Sequence, residues 1–143
     1  MGQQQLLLIV LGVIIVGIAI AVGISMFKSN AQSSNRDQVI NDLNNLAAKA
    51  QQYYRKPTAM AGGGQSFTGF GLAPVDTGNA NGSYTVVNTV PSAGYVAGAT
   101  TASTNAQVCY ILGSGKELGN NGTSVVQAYA IVSANSDSVR VLN

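Results

Sequence analysis

Residues 6–27 carry no charged side chain, and no other feature of the chain limits its fold as strongly. As a helix rising about 1.5 Å per residue they span about 33 Å, enough for a hydrocarbon core about 30 Å thick. Apolar residues fall on every face of that helix, so no polar side is left to rest against water or a membrane surface. Such a segment must lie in lipid or among other apolar helices. Gly12, Gly17 and Gly23 each weaken a helix in water by about 1 kcal/mol. In an apolar surround the same positions, with Ala19 and Ala21, let helices approach closely, although none forms a GxxxG pair. A cleaved secretory signal fits poorly. No basic stretch precedes the run, and the run is long for a signal. Lys28 and Arg36 follow it, and positive-inside reasoning alone would put the C-terminal part in the cytoplasm, a bias carried by these two residues.

From Asn35 the character changes but the helical period continues. Val39, Ile40, Leu43, Leu46, Ala47, Ala50 and Tyr53 recur at three- and four-residue spacing, with Arg36, Asp37, Asn41, Asp42, Asn45, Lys49 and Gln52 between them. Residues 35–54 therefore form an amphipathic helix with one apolar stripe. Neither Pro nor Gly occurs between Phe27 and Arg55, so both halves can belong to one rod, about 80 Å long if it runs from Met1 to Tyr54. Pro57 ends it by removing an N–H donor and disfavouring helix at Lys56, and Gly62, Gly63 and Gly64 make a restart improbable. The expected division is an N-terminal helix over residues 1–56 and a β-rich head over 57–143.

Four strand candidates lie in the head, at residues 83–90, 107–112, 124–133 and 138–142. In the third, Val126, Ala128, Ala130 and Val132 alternate with Val125, Tyr129 and Ile131. Gly119-Asn120-Asn121-Gly122 reads as a hairpin connection, and Asn135-Ser136-Asp137 as a second turn. The simplest assembly is an α+β fold: a long helix whose apolar stripe is covered by a small antiparallel meander. Residues 59–81, glycine-rich and without periodicity, read as a long surface loop, a feature uncommon enough to suggest contact with something.

The chemical inventory is thin. There is no His, and the one Cys, Cys109, sits in an apolar run where a buried, inert thiol is expected. Metal and haem sites lack ligands, and no cofactor is expected. Only 8% of residues are charged and the net charge is +2, so no specific nucleic-acid footprint is expected. Asp37 and Asp42 are five apart and share a helix face poorly, no phosphate-cradle pattern occurs, and we expect no enzyme activity. Arg55-Lys56 offers charge to an anionic lipid or partner, but a helix C-terminus favours cations in any case. Asn81-Gly82-Ser83 and Asn121-Gly122-Thr123 match glycosylation acceptors, making Asn81 and Asn121 candidates, although both triplets also serve as turns.

A hydrophobic N-terminal helix, an amphipathic continuation ending in Ala50-Gln51-Gln52-Tyr53-Tyr54, and a small C-terminal sheet together resemble the type IV pilins and pseudopilins. In that family the helix stores the subunit in the membrane and later forms the core of a filament. The resemblance implies a structural subunit of a pilus-like extracellular filament, a fimbrium on the cell surface. It would reside in the inner membrane before assembly, form a helical homopolymer with identical subunits, and engage a secretion or pilus assembly machinery. Gln5, Leu6, Gly12, Ile15, Gly17, Gly23 and Phe27 would belong to its membrane and polymerisation helix. Two departures stand out. Gln5 occupies the place where mature chains of the family usually carry Glu, and the helix-breaking Pro common in the family's membrane segment is absent. The family's precursors also begin with a short basic leader; none is seen here, as expected if the sequence is already the mature chain. The alternative reading is a single-pass membrane protein with an extracytoplasmic binding head that never polymerises.

Overall fold

We analysed a computed structural model, which describes residues 2–92, 94–95 and 102–143. Helix α1 (Gly2–Arg55) runs as one unbroken rod of 54 residues, about 81 Å long. Met1, the expected start of the rod, lies outside the described residues. A four-stranded antiparallel sheet follows, formed by β1 (Gly82–Val87), β2 (Val108–Leu118), β3 (Val125–Ser133) and β4 (Asp137–Val141) in the order β1-β2-β3-β4. The fold is thus α+β, a long helix packed on a small meander.

Only the C-terminal half of α1 meets the sheet. Its buried residues are Asn35, Val39, Leu43, Leu46, Ala47 and Ala50, the stripe at three- and four-residue spacing. The inner face of the sheet supplies Tyr84 and Val86, then Cys109 and Ile111, then Ala128, Ala130 and Val132, with Val139 at its margin. Small residues on β3 and glycine on β2 bring the two layers close. A Cβ at Gly113 would stand 2.9 Å from Val39 Cγ1 and 3.0 Å from Tyr84 Cε1, so a side chain there would force Val39 and Tyr84 out of their packed positions. The outer face carries a second, smaller cluster of Val87, Leu112 and Tyr129, with Tyr95, Tyr110, Ile131 and Leu142 packed around it.

The expected elements are recovered with shifted ends. β1 stops at Val87 rather than residue 90, and β4 is displaced by one residue. The larger difference is β2, which runs on through Gly113-Ser114-Gly115-Lys116-Glu117-Leu118 although that stretch carries little apolar signal. Its partners hold it there, with Ser83 facing Ser114, Gly82 facing Gly115 and Val125 facing Leu118 across the two ladders. Residues 59–81 are not purely a surface loop. Phe67 and Phe70 reach into the core, their rings packed at a tilt against Tyr54 and Tyr53 at centroid separations of 4.7 and 5.5 Å. The loop is tied down by Phe67 N–H donating to Ala106 O (3.0 Å) and Ser103 N–H donating to Phe70 O (2.8 Å).

The register between Ser114 and Leu118 is broken by a bulge, and a single helix residue explains it. Asn35 Oδ1 accepts from Lys116 N–H (3.2 Å) and Glu117 N–H (3.4 Å), while its Nδ2 donates to Asn81 O (2.9 Å). The Asn35 amide therefore replaces the ladder partners that the bulged residues lose. A Cβ at Gly115 would lie 2.1 Å from Asn35 Oδ1. Replacing a strand glycine by Ala normally stabilises by about 0.5–1 kcal/mol. Gly115→Ala should do the opposite and lower stability by about 1–3 kcal/mol, because it displaces a buried amide that makes three hydrogen bonds. A urea titration of the chain begun at Asn30 measures the sign directly.

Candidate functional site

Beyond Ala31 toward the N-terminus, α1 leaves the head, and residues 2–30 are all exposed. Leu6 is 64% exposed and Phe27 75%, and the large apolar residues between them are 52% to 71% exposed. The segment is long and apolar enough to cross a membrane, and none of it is buried against the rest of the chain. That combination separates it from a soluble core helix, which would be apolar because it is enclosed. Exposing such a rod to water would cost on the order of tens of kcal/mol at about 25 cal/mol per Å². Gly12, Gly17 and Gly23 face open space, so each leaves a notch on the rod rather than a site filled from within the chain. Gln5 is exposed in the first turns, beside Gln3 and Gln4. The structure therefore brings Gln5, Leu6, Gly12, Ile15, Gly17, Gly23 and Phe27 into one continuous element.

The rod is useful only if its direction is fixed by the head, and polar groups fix it. Besides Asn35, Arg36 Nη2 donates to Asn143 O (3.1 Å). The Asn143 side chain in turn accepts from Gln127 N–H (2.7 Å) and donates to Val125 O (3.0 Å), so Arg36 reaches the start of β3 in two steps. Two turns further along, Asp42 Oδ2 accepts from Tyr84 Oη–H (2.6 Å), Asn79 Nδ2 (2.8 Å) and Asn81 Nδ2 (3.1 Å). Burial pushes the Asp42 carboxyl up, but the three donors outweigh it and hold the group below the ordinary carboxylate range. Lys49 Nζ pairs with Asp76 at 2.7 Å, an exposed contact worth little by itself. By spacing alone Asp42 falls among the polar residues between the apolar positions of the stripe, and Asn35 only marks where the amphipathic helix begins. Their partners lie 37 to 82 positions away, and no local pattern announces them.

At the other end, the glycine run closes the helix. Gly63 N–H donates to Tyr53 O (2.8 Å), Gly64 N–H to Lys56 O (2.9 Å) and Gln65 N–H to Tyr54 O (2.8 Å). Gly62 N–H donates to Pro57 O (3.2 Å). These amides are spent on carbonyls left over at the helix end and are not presented to a phosphate. Arg55 and Lys56 line a groove of about 500 Å³ beside them, with Lys49, Gln52, Tyr53, Pro57 and Ala61. Among the described residues no group of three or more His, Cys, Asp or Glu side chains comes together. Cys109 is 1% exposed on the inner sheet face, and burial pushes its thiol up to about 12, the Ser103 hydrogen bond pulling the other way.

The two candidate glycosylation acceptors occupy different surroundings. Asn81 is half-buried and engaged through its side chain and both backbone groups, whereas Asn121 is exposed in the β2–β3 connection. No protein-family profile, curated protein or solved structure matches the chain.

Three outcomes follow. A chain begun at Asn30 should be soluble and monomeric, and partitioning of that form with membranes would refute the role given to residues 6–27. Because the folded carboxyl of Asp42 lies low, its stabilising effect is full above about pH 4, the unfolded value, and is lost as pH falls through the folded value. Asp42→Asn should therefore cost about 1–3 kcal/mol at neutral pH and flatten the acid limb of the stability profile, as followed by circular dichroism. Cys109 should resist iodoacetamide at pH 7 in the native head and react once urea unfolds it.

Proposed function

We propose that this chain is a structural subunit of a type IV pilus-like extracellular filament, stored in the inner membrane and polymerised through residues 6–27. The observation that carries the reading is the uncovered apolar rod. An all-round apolar helix fixed rigidly to a folded head requires an apolar surround at every stage of its life. Lipid supplies it before assembly. Outside the membrane, the rods of identical subunits supply it for one another.

A head-to-tail contact that does not close on itself generates a helical polymer, and one rigid rod offset from one head suits such repetition. The notches at Gly12, Gly17 and Gly23 would let rods approach closely. Gln5 would sit within that core as a neutral hydrogen-bonding group, paired with a neighbour's amino terminus or with Gln3 and Gln4. It avoids the cost of burying an unpaired carboxylate and gives up charge-assisted pairing. The heads would lie outside the core, and an assembly machinery would lift each subunit from the bilayer.

Ile15→Asp tests this directly by placing a charge at mid-rod. Filaments in sheared surface material should disappear, while a chain of wild-type head sequence begun at Asn30 still folds. Filaments at normal yield from Ile15→Asp would show that the heads drive assembly. Wild-type cells with the chain only as separate membrane-resident subunits would favour the non-polymerising alternative.

A further inference from the structure

The two Asn-Gly-Ser/Thr triplets are chemically alike in sequence and unlike in the fold. At Asn81 the acceptor atom is already engaged. Its Nδ2 donates to Asp42 Oδ2 at 3.1 Å, at a carboxylate oxygen that also receives Tyr84 and Asn79. Its backbone N–H donates to Asn79 Oδ1 (2.8 Å), its carbonyl accepts from Asn35, and the hydroxyl residue Ser83 is committed to β1 opposite Ser114. A sugar on Asn81 Nδ2 would have to enter the seam between the helix and the sheet.

Asn121 differs in its exposure and in its amide nitrogen, although its carbonyl accepts from Thr123 Oγ1–H (3.3 Å). Asn120, Asn121, Gly122 and Thr123 are all exposed, at the tip joining β2 to β3. Asn121 Oδ1 accepts from Thr123 N–H (3.1 Å) and Ser124 N–H (3.0 Å), which orients the amide while its Nδ2 makes no hydrogen bond among the described residues. The tip also lies at the end of the head from which the rod emerges. Glu117 is bonded to Asn35, Gly119 lies against Asn143, and Asn143 accepts from Arg36. Eight residues of helix, about 12 Å, separate Asn35 from Phe27, the end of the apolar segment. With the rod in a bilayer, the tip is held near the membrane surface.

We propose that Asn121 is the acceptor of an N-linked glycan and that Asn81 is not. The donor class is an oligosaccharide held through its anomeric carbon on a lipid pyrophosphate. Asn121 Nδ2 attacks that carbon, the N–C bond forms as the C–O bond to pyrophosphate breaks, the amide gives up one proton, and the lipid pyrophosphate leaves. A bulky hydrophilic group at the tip meets only solvent in this fold. The inference needs the rod in a membrane with the head on the donor's side, and it does not need polymerisation.

The test is peptide mass mapping of the full chain taken from the cells that make it. Trypsin separates the acceptors, since residues 117–140 contain Asn121 and residues 56–116 contain Asn81. In most copies the 117–140 peptide should carry a glycan increment, while the 56–116 peptide keeps its sequence mass. Asn121→Gln and Thr123→Ala should each abolish the increment, and Thr123→Ser and Asn81→Gln should retain it. An unmodified 117–140 peptide in native material, an increment on 56–116, or one that survives Asn121→Gln would each overturn the proposal. None of these outcomes bears on filament formation, so failure here is distinguishable from failure of the polymer reading.

Discussion

An α-helix satisfies its own backbone, so it passes from one solvent to another without exposing unpaired amides. Every property of this chain depends on that continuity. From Gly2 to Arg55 no proline interrupts the hydrogen-bond ladder, and the same rod is apolar on all faces at one end and on one stripe at the other. The change of surroundings falls between residues 31 and 35, where the head begins to cover the helix and Asn35 is the first buried residue. Were the helix broken there, the head would hang on a flexible tether and the rod's direction would carry no information. Because it is unbroken, wherever the rod is seated the head follows.

The head behaves as a clamp on the lower half of that rod. Apolar contacts from Val39 to Ala50 supply most of the adhesion, but such contacts slide and rotate with modest penalty. The polar contacts are what index the helix against the sheet. Asn35 reads the β2 bulge and the start of β1, Arg36 reads the C-terminal end of the chain, and Asp42 reads Tyr84 and the turn before β1. Each is buried or half-buried, and each would lose its partners if the helix slipped by one residue. A buried polar group without partners costs about 1–3 kcal/mol, so together these contacts select one register. Glycines at 113 and 115 are the complementary surface on the sheet side.

What the sequence disclosed follows from the range of the forces involved. The apolar rod, the stripe over residues 35–54, the stop at Pro57 and the alternation in β3 are local patterns, and each was legible. The extension of β2 past Leu112 was not, because neighbouring strands stabilise a stretch that has little β propensity of its own. Phe67 and Phe70 pack into the core, yet the loop carrying them reads locally as surface, since nothing local joins it to residues 103–106. The Asn35 and Asp42 contacts were invisible for the same reason. As a candidate site, the rod was legible in full, and the polar indexing that aims it was not.

The central claim is that the rods of neighbouring copies surround one another once the chain is outside the membrane. Buried Cys109 leaves a silent background for a cross-linking measurement. Ile14→Cys, Ile15→Cys and Val16→Cys, made one at a time, sample three faces of the rod at about 100° intervals. Treated with a short bifunctional thiol cross-linker, sheared surface material carrying these variants should yield covalent dimers, the largest product one reactive thiol per subunit allows, and wild-type material only monomer. Monomer alone from all three variants, with the chain present in the sheared material, would contradict the account.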